Sequence, residues 1–255
     1  MTSLPRLIAF DLDDTLAPSK SAVDPRMLAV FTELLDRTTV AVISGGNFEQ
    51  FETQLVSRLE GIDEVALERL HLLPTCGTRY ERRESGAWNT VYRENLTPAE
   101  SAAALTALRE EAERLGLWES SPWGEILEDR GSQVTFSALG QRAPVAPKHA
   151  WDPDGSKKNA LRAAVAARLP ELEVRSGGST SVDITRRGID KAYGMRKLEE
   201  HTGIPLSDMF FIGDRLDPEG NDYPVKALGV ACHAVTGWQD TADYLERLLG
   251  DAPVR

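Results

Sequence analysis

The chain has 255 residues, 41% of them hydrophobic and 27% charged, with a formal net charge of −11. That length and balance suit one large globular domain, or a core with a smaller inserted one, able to bury a substantial interior without disulfide staples. The acidic balance argues against nucleic acid as the main partner, since a phosphate backbone asks for clustered Lys and Arg, and no apolar run approaches the roughly 20 residues that span a bilayer.

Arg6–Leu12 is a short apolar run ending in acids and reads as a buried strand. The run Leu7-Ile8-Ala9-Phe10 is too short for the apolar region of a signal peptide, so a cytoplasmic setting is expected. Asp24 as N-cap and Pro25 at the first helical position open a helix to Arg37. Thr39–Ile43 is a β-branched strand, followed by Ser44-Gly45-Gly46-Asn47 and a helical stretch to about Leu59. His71–Cys76 reads as a further strand. The two cysteines, Cys76 and Cys232, lack metal-ligand spacing and both fall in strand-like apolar settings, which suits a reducing compartment.

The texture then changes. Thr78–Arg83 and Trp88–Arg93 flank a turn at Glu84-Ser85-Gly86, as in a hairpin. Thr97-Pro98-Ala99-Glu100 is a capping box for a long helix that Gly116 ends. Ile126–Arg130 and Gln133–Ser137 form a second hairpin around Gly131, a helix covers about Ser156–Arg168, and Glu173–Ser176 and Ser181–Thr185 are two more strands. From Asp190 the first texture returns, with a helix to about His201 stopped by Gly203, strands at Met209–Gly213 and Gly229–Ala234, and a last helix from about Asp240 to Leu249. The expected fold class is α/β: a parallel-sheet core from residues 1–81 and 186–255, interrupted by an inserted α+β cap at about 82–185. Ligands in such sheets bind at the carboxyl ends of the strands, where every motif below falls.

Asp11 and Asp13 are two apart after the first strand and can address one substrate: a carboxylate nucleophile beside an acid/base carboxylate suits attack on phosphorus. Two acids so close repel unless a cation neutralises them, which makes a divalent metal part of the same reading. Ser44 can donate a hydroxyl, and Gly45 and Gly46 backbone N–H groups, to a phosphate. Lys191 at a helix N-terminus asks for an anionic partner. Asp214, at the end of Phe210-Phe211-Ile212-Gly213, and Asp222, after Gly220-Asn221, offer the oxygens Mg²⁺ prefers; Asp217 and Glu219 stay unassigned. Singly, each has an ordinary structural reading: an acidic turn, a strand-to-helix turn, a solvated lysine, a polar loop. Their occurrence in this order, each at an element end, is what points to phosphate chemistry. The four histidines and five tryptophans form no ligand spacing and read as packing or surface residues.

These motifs resemble those of the haloacid dehalogenase superfamily of phosphotransferases: Asp11/Asp13/Thr15, Ser44, Lys191 and Asp214/Asp222, with the long insertion of the subclass bearing a type IIB cap. The resemblance covers essentially the whole chain. It implies a Rossmann-like core, a Mg²⁺ cofactor and a phospho-aspartate intermediate. In these terms Asp11 is nucleophile and metal ligand, and Asp13 is acid/base and binds metal through its carbonyl. Thr15 steadies Asp13, Ser44 and Lys191 hold the phosphoryl group, Asp214 binds metal, and Asn221 and Asp222 support the metal shell or Lys191.

Within the subclass the chain is similar to eukaryotic-type phosphomannomutases, through Asp13–Ser19, Gly213-Asp214 with Pro218–Asp222, and the cap stretches Arg130 with Ser137–Gln141 and Gly177–Ser179 with Ser181–Asp183. The likeness implies that Arg130, Gln141, Arg142, Ser179, Ser181 and Asp183 face a sugar phosphate. Where the mutases carry an arginine, this chain has Gln141, with Arg142 one place later, and glutamine cannot grip a phosphate bidentately. A sugar-phosphate phosphatase is therefore the expectation, a hexose-phosphate mutase the alternative. A non-catalytic binding protein on the same fold would have lost a motif residue, and none is lost. A small phosphorylated substrate is the expected partner, and the chain is expected to be a monomer or homodimer.

Overall fold

The fold follows from runs that are apolar on both faces. A computed structural model describes residues 4–251. Two compact units form, one from the residues up to Arg93 together with those from Asp190 on, the other from Glu94–Ile189.

In the first unit β1 (Leu7–Phe10) is wholly buried, as a parallel strand covered on both sides must be. It is followed by α1 (Pro25–Arg37), where Asp24 accepts from Arg26 N and Met27, Val30, Phe31, Leu34 and Leu35 form one apolar stripe. Next come β2 (Thr39–Ile43), α2 (Phe48–Gln54), the one-turn α3 (Glu64–Leu67) and β3 (Leu70–Leu73). β4 (Arg79–Glu84) and β5 (Ala87–Arg93) make the expected hairpin.

The second unit contributes α4 (Pro98–Arg114), β6 (Leu127–Asp129), β7 (Gln133–Ser137), α5 (Val145–Trp151), α6 (Ser156–Arg168), β8 (Leu172–Ser176) and β9 (Ser181–Arg186). The chain then returns to the first unit with α7 (Lys191–Thr202), β10 (Met209–Gly213), α8 (Tyr223–Ala227), β11 (Ala231–Ala234) and α9 (Trp238–Asp251).

The core sheet has the order β11-β10-β1-β2-β3-β4-β5. The first five of these strands are parallel, and β4 and β5 are antiparallel additions at one edge. Successive residues of β1 face opposite cores: Ile8 and Phe10 pack with α1 and α9, and Leu7 and Ala9 with α7. Strand order reverses at β1, with β2 on one side and β10 on the other, so the carboxyl ends of β1 and β10 frame the switch point.

Two expectations need correction and a third is refined. The insertion does not begin at residue 82: β4 pairs with β3 through His71↔Arg82 and Leu72↔Glu81, so the hairpin extends the core sheet, and the inserted unit starts at Glu94 and runs to Ile189 rather than to 185. The strand His71–Cys76 stops at Leu73, because Pro74 cannot continue the ladder and Thr75 and Cys76 turn into left-handed backbone (φ 48° and 56°), so Cys76 is not a strand residue. The helical stretch after Asn47 does reach Leu59 but is not one helix: α2 ends at Gln54, the chain breaks at Leu55 (φ −120°, ψ −59°), and a 3₁₀ turn over Val56–Arg58 completes it.

The inserted unit is a four-stranded antiparallel sheet, β6-β7-β9-β8. Val134, Phe136, Val182, Ile184 and Val174 pack one face against α4 and α6. The Thr97/Glu100 capping box opens α4 as expected, and Gly116 (φ 68°) follows its end.

Candidate active site

Asp11 follows β1 directly and is held by its own N–H, which donates to Ile212 O of β10 (3.0 Å). Lys191 is the first residue of α7, whose N-cap Asp190 accepts from Tyr193 N. The Lys191 side chain is 1% exposed, and its Nζ lies 2.6 Å from Asp11 Oδ1 and 2.5 Å from Asp222 Oδ1. Asp222 is fully buried, and its Oδ2 accepts from Arg215 N (3.0 Å). Gly213 makes room for it, since a Cβ there would stand 2.3 Å from Asp222 Oδ2.

Asp214 completes a group of three carboxylates, with Asp11 and Asp222, whose oxygens lie within 4.8 Å of one another. Burial pushes the Asp11 carboxyl well up, Lys191 pulls it down, and the charges of Asp222 and Asp214 push it up again. Asp214 is raised by burial and then by Asp222. Burial would lower the Lys191 ammonium, but Asp11 and Asp222 outweigh it and hold the group above the ordinary lysine range. One ammonium thus faces three carboxylates, a surplus of negative charge built from hard oxygen donors, and that donor set fits Mg²⁺.

Asp13 sits outside this group. Its Oδ1 accepts from Lys20 N (2.7 Å) and Gln54 Nε2 (3.2 Å), and its Oδ2 from Gln50 Nε2 (2.8 Å). The expectation that Thr15 steadies Asp13 is corrected: the buried Thr15 hydroxyl points at Asp214 Oδ1, at the long limit of 3.5 Å. The tight turn after β1, in which Leu16 N and Ala17 N both donate to Leu12 O, turns Thr15 that way. Gln50 and Gln54, which the sequence reading passed over, hold Asp13 instead. The sequence marks them only as a polar pair four apart on a helix, which by itself points to no site.

Ser44 directly follows β2 and is buried, its Oγ accepting from Gly46 N (3.1 Å). Its carbonyl accepts from Cys76 N and that of Gly46 from Thr75 N, both at 2.9 Å, so the left-handed turn after β3 pins the Ser44–Asn47 turn. Around Gly45 a Cβ would meet nothing within 4 Å, which leaves that backbone approachable. Asn221 is exposed.

In the inserted unit the register lines up Glu128, Thr135, Asp183 and Arg175 in one cross-strand row, with Ser137 and Ser181 in another on the same face. Asp183 Oδ1 accepts from Thr135 Oγ1 (2.7 Å) and Gln133 Nε2 (3.0 Å), two donors absent from the sequence reading. Arg130, continuing the line of β6, meets Glu128 at 2.9 Å. Gln141, Arg142 and Ser179 are in loops rather than on this face. Gln141 N and Arg142 N donate to Glu125 O and Trp123 O, and Ser179 is in the β8–β9 turn, tied to the end of β7 by Ala138 N donating to Thr180 O.

The family model for eukaryotic phosphomannomutase matches residues 124–251. Mouse phosphomannomutase 1 is 26% identical over 260 residues, covering 95% of this chain and 92% of the relative. The fold is similar to a haloacid dehalogenase-like hydrolase from Bacteroides thetaiotaomicron (TM-score 0.60, 19% identity, 95% of this chain and 99% of that one). It is also similar to an N-terminally truncated IMP-nucleotidase from Plasmodium falciparum (TM-score 0.71, 15% identity, 96% and 70%). A buried acid–lysine cluster at the switch point of a parallel sheet, a polar-faced insertion and a family match over half the chain agree: this protein belongs to the eukaryotic phosphomannomutase family, on a haloacid dehalogenase-like fold.

Proposed function

We propose that this protein transfers the phosphoryl group of a small phosphate ester, of the sugar-phosphate class, to Asp11 and then to water. The observation that carries the reading is the Asp11–Lys191–Asp222 triad, a nucleophilic carboxylate held by one buried ammonium. An Asp11 oxygen attacks phosphorus, the ester P–O bond breaks, and Asp13 protonates the departing alkoxide. Asp13, now a carboxylate, takes a proton from water; the water oxygen attacks phosphorus and the bond to Asp11 breaks, releasing phosphate. Lys191, the Ser44 hydroxyl and the Gly45 N–H hold the phosphoryl oxygens, where charge accumulates, whereas the Gly46 N–H, expected to join them, is given to Ser44 Oγ. Asp11, Asp214 and Asp222, with the Asp13 carbonyl, would hold Mg²⁺, which supplies positive charge to those oxygens.

In the inserted unit, Arg130, Ser181 and Asp183 on the sheet face and Gln141, Arg142 and Ser179 in the loops would select the substrate. Hydrolysis is favoured because Arg130 is already met by Glu128 and Arg175 by Glu173, which weakens any grip on a second phosphate. The family supports a second reading, in which the phosphoryl group returns to another hydroxyl of the same sugar. We place the protein in the cytoplasm: both cysteines are free, and among the described residues no helix is long and apolar enough to cross a membrane.

Incubation with mannose 1-phosphate and Mg²⁺, with and without a hexose 1,6-bisphosphate, tests the choice. Inorganic phosphate is the expected product, with little effect of bisphosphate. Bisphosphate-dependent formation of the 6-phosphate outrunning hydrolysis would establish the mutase. Asp11→Asn should lower either activity ~10⁴-fold or more.

A further inference from the structure

The catalytic cluster leaves one feature of the core unit unexplained, a pair of glutamines on α2. Gln54 is 1% exposed, and a glutamine so buried is costly unless its amide is fully hydrogen-bonded. Here all four amide hydrogens of the pair are engaged. Gln50 Nε2 donates to Asp13 Oδ2 (2.8 Å) and to Gln54 Oε1 (2.7 Å), and Gln54 Nε2 donates to Asp13 Oδ1 (3.2 Å) and Ser21 O (2.9 Å). The amides therefore take hold of both carboxylate oxygens, from one helix face, at the spacing of one turn.

The surroundings are shaped to allow this. A Cβ on Gly46 would stand 2.4 Å from Gln50 Oε1, so the glycine opens the path of that side chain. Asn47 Oδ1 accepts from Gln50 N (2.9 Å) and fixes where α2 begins. Lys20, in left-handed backbone (φ 55°), adds its N–H to Asp13 Oδ1.

We propose that Gln50 and Gln54 are positioning residues: a paired amide clamp that orients the Asp13 carboxyl group for proton transfer to the leaving group. This rests on Asp13 being the acid/base. A purely structural role, tying the loop at Ser21 to α2, would lower stability and treat all substrates alike. A clamp on the acid must discriminate by leaving group, because an alkoxide needs its proton and a nitrophenolate hardly does.

The experiment compares kcat/KM for a hexose phosphate and for p-nitrophenyl phosphate, since with either this ratio reads the steps only through departure of the alcohol. Gln50→Ala, half-buried and the safer variant for folding, and Gln54→Met, which keeps the volume, are measured beside Asp13→Asn. In both glutamine variants we expect kcat/KM for the hexose phosphate to fall roughly 10- to 100-fold further than for the aryl phosphate, in the same sense as Asp13→Asn and to a smaller extent. If Asp13→Asn discriminates and the glutamine variants lower both substrates equally, or neither, the clamp is wrong. If Asp13→Asn itself does not discriminate, the acid/base assignment fails and takes the clamp with it.

Discussion

Lys191 holds the acidic cluster together, because its ammonium balances buried carboxylates on two sides. Lys191→Met keeps the volume and removes the charge, leaving Asp11 and Asp222 buried without their ammonium. The expected loss is about 3–5 kcal/mol at neutral pH, read by denaturant unfolding. Burial already raises the Asp11 carboxyl and Lys191 is what pulls it down, so without the ammonium its folded-state pKa lies above its unfolded value; protonation then favours folding and the deficit should shrink as pH falls. The surplus of carboxylates makes a second prediction. Millimolar Mg²⁺ should raise the melting temperature of the wild-type protein relative to EDTA, by the equivalent of ~2.7 kcal/mol at a hundred times the dissociation constant. Asp214→Asn, which removes one of the three charged donors, should abolish most of that shift. Both residues were legible as candidates, Lys191 from its place at a helix N-terminus and Asp214 from its place after an apolar run. The glutamines on Asp13 were not, because their value depends on a partner 37 or 41 residues away.

At the level of elements, β3, the hairpin and α7 are joined by a ring stack. His71 Nδ1 lies 2.5 Å from Tyr80 Oη, His201 packs between Tyr80 and Tyr92, and Tyr92 Oη donates to Gly77 O. Gly77 in turn touches α7: a Cβ there would come within 2.6 Å of Gly194 Cα, in the helix that begins with Lys191. Burial, followed by the charges of Arg82 and His201, lowers His71 to about 3. The folded pKa is thus below the ordinary value of about 6.5, so the stabilisation is complete above that pH and is lost as pH falls towards 3. Its slope approaches about 1.4 kcal/mol per pH unit. Unfolding measured at pH 7 and pH 5 in wild type and His71→Asn should show a pH-dependent difference. Parallel pH profiles would mean that His71 does not titrate on unfolding. The histidines were expected as packing residues, and this one packs. That the hairpin belongs to the core sheet was hidden, because strand partners lie in register with β3 and leave no local mark.

For the whole molecule, the inserted unit packs around a hydrophobic core of its own, separate from the two that flank the first unit's sheet, and the proposed function assigns chemistry to the first unit and selectivity to the second. Asp183→Ala or Arg130→Ala should raise KM for the preferred sugar phosphate roughly tenfold, while hydrolysis of a small aryl phosphate changes much less. Thr135→Val should act in the same direction and more weakly, since Thr135 holds Asp183. Equal losses on both substrates would make these residues structural.

The amino-acid sequence by itself determined what nearest neighbours decide: the apolar runs of β2 and β10, the capped starts of α1 and α4, and the glycine that ends α7. It also determined the order in which the acidic, hydroxyl and lysine residues arrive at strand ends. Only the tertiary structure decided which of them meet. Asp11, Lys191, Asp214 and Asp222 converge because β1 and β10 are neighbours at the point where strand order reverses. The same holds for Thr15, which turned towards Asp214 and away from Asp13, and for the boundary at Glu94. Contacts across such distances are set by sheet order and register, which no local propensity encodes.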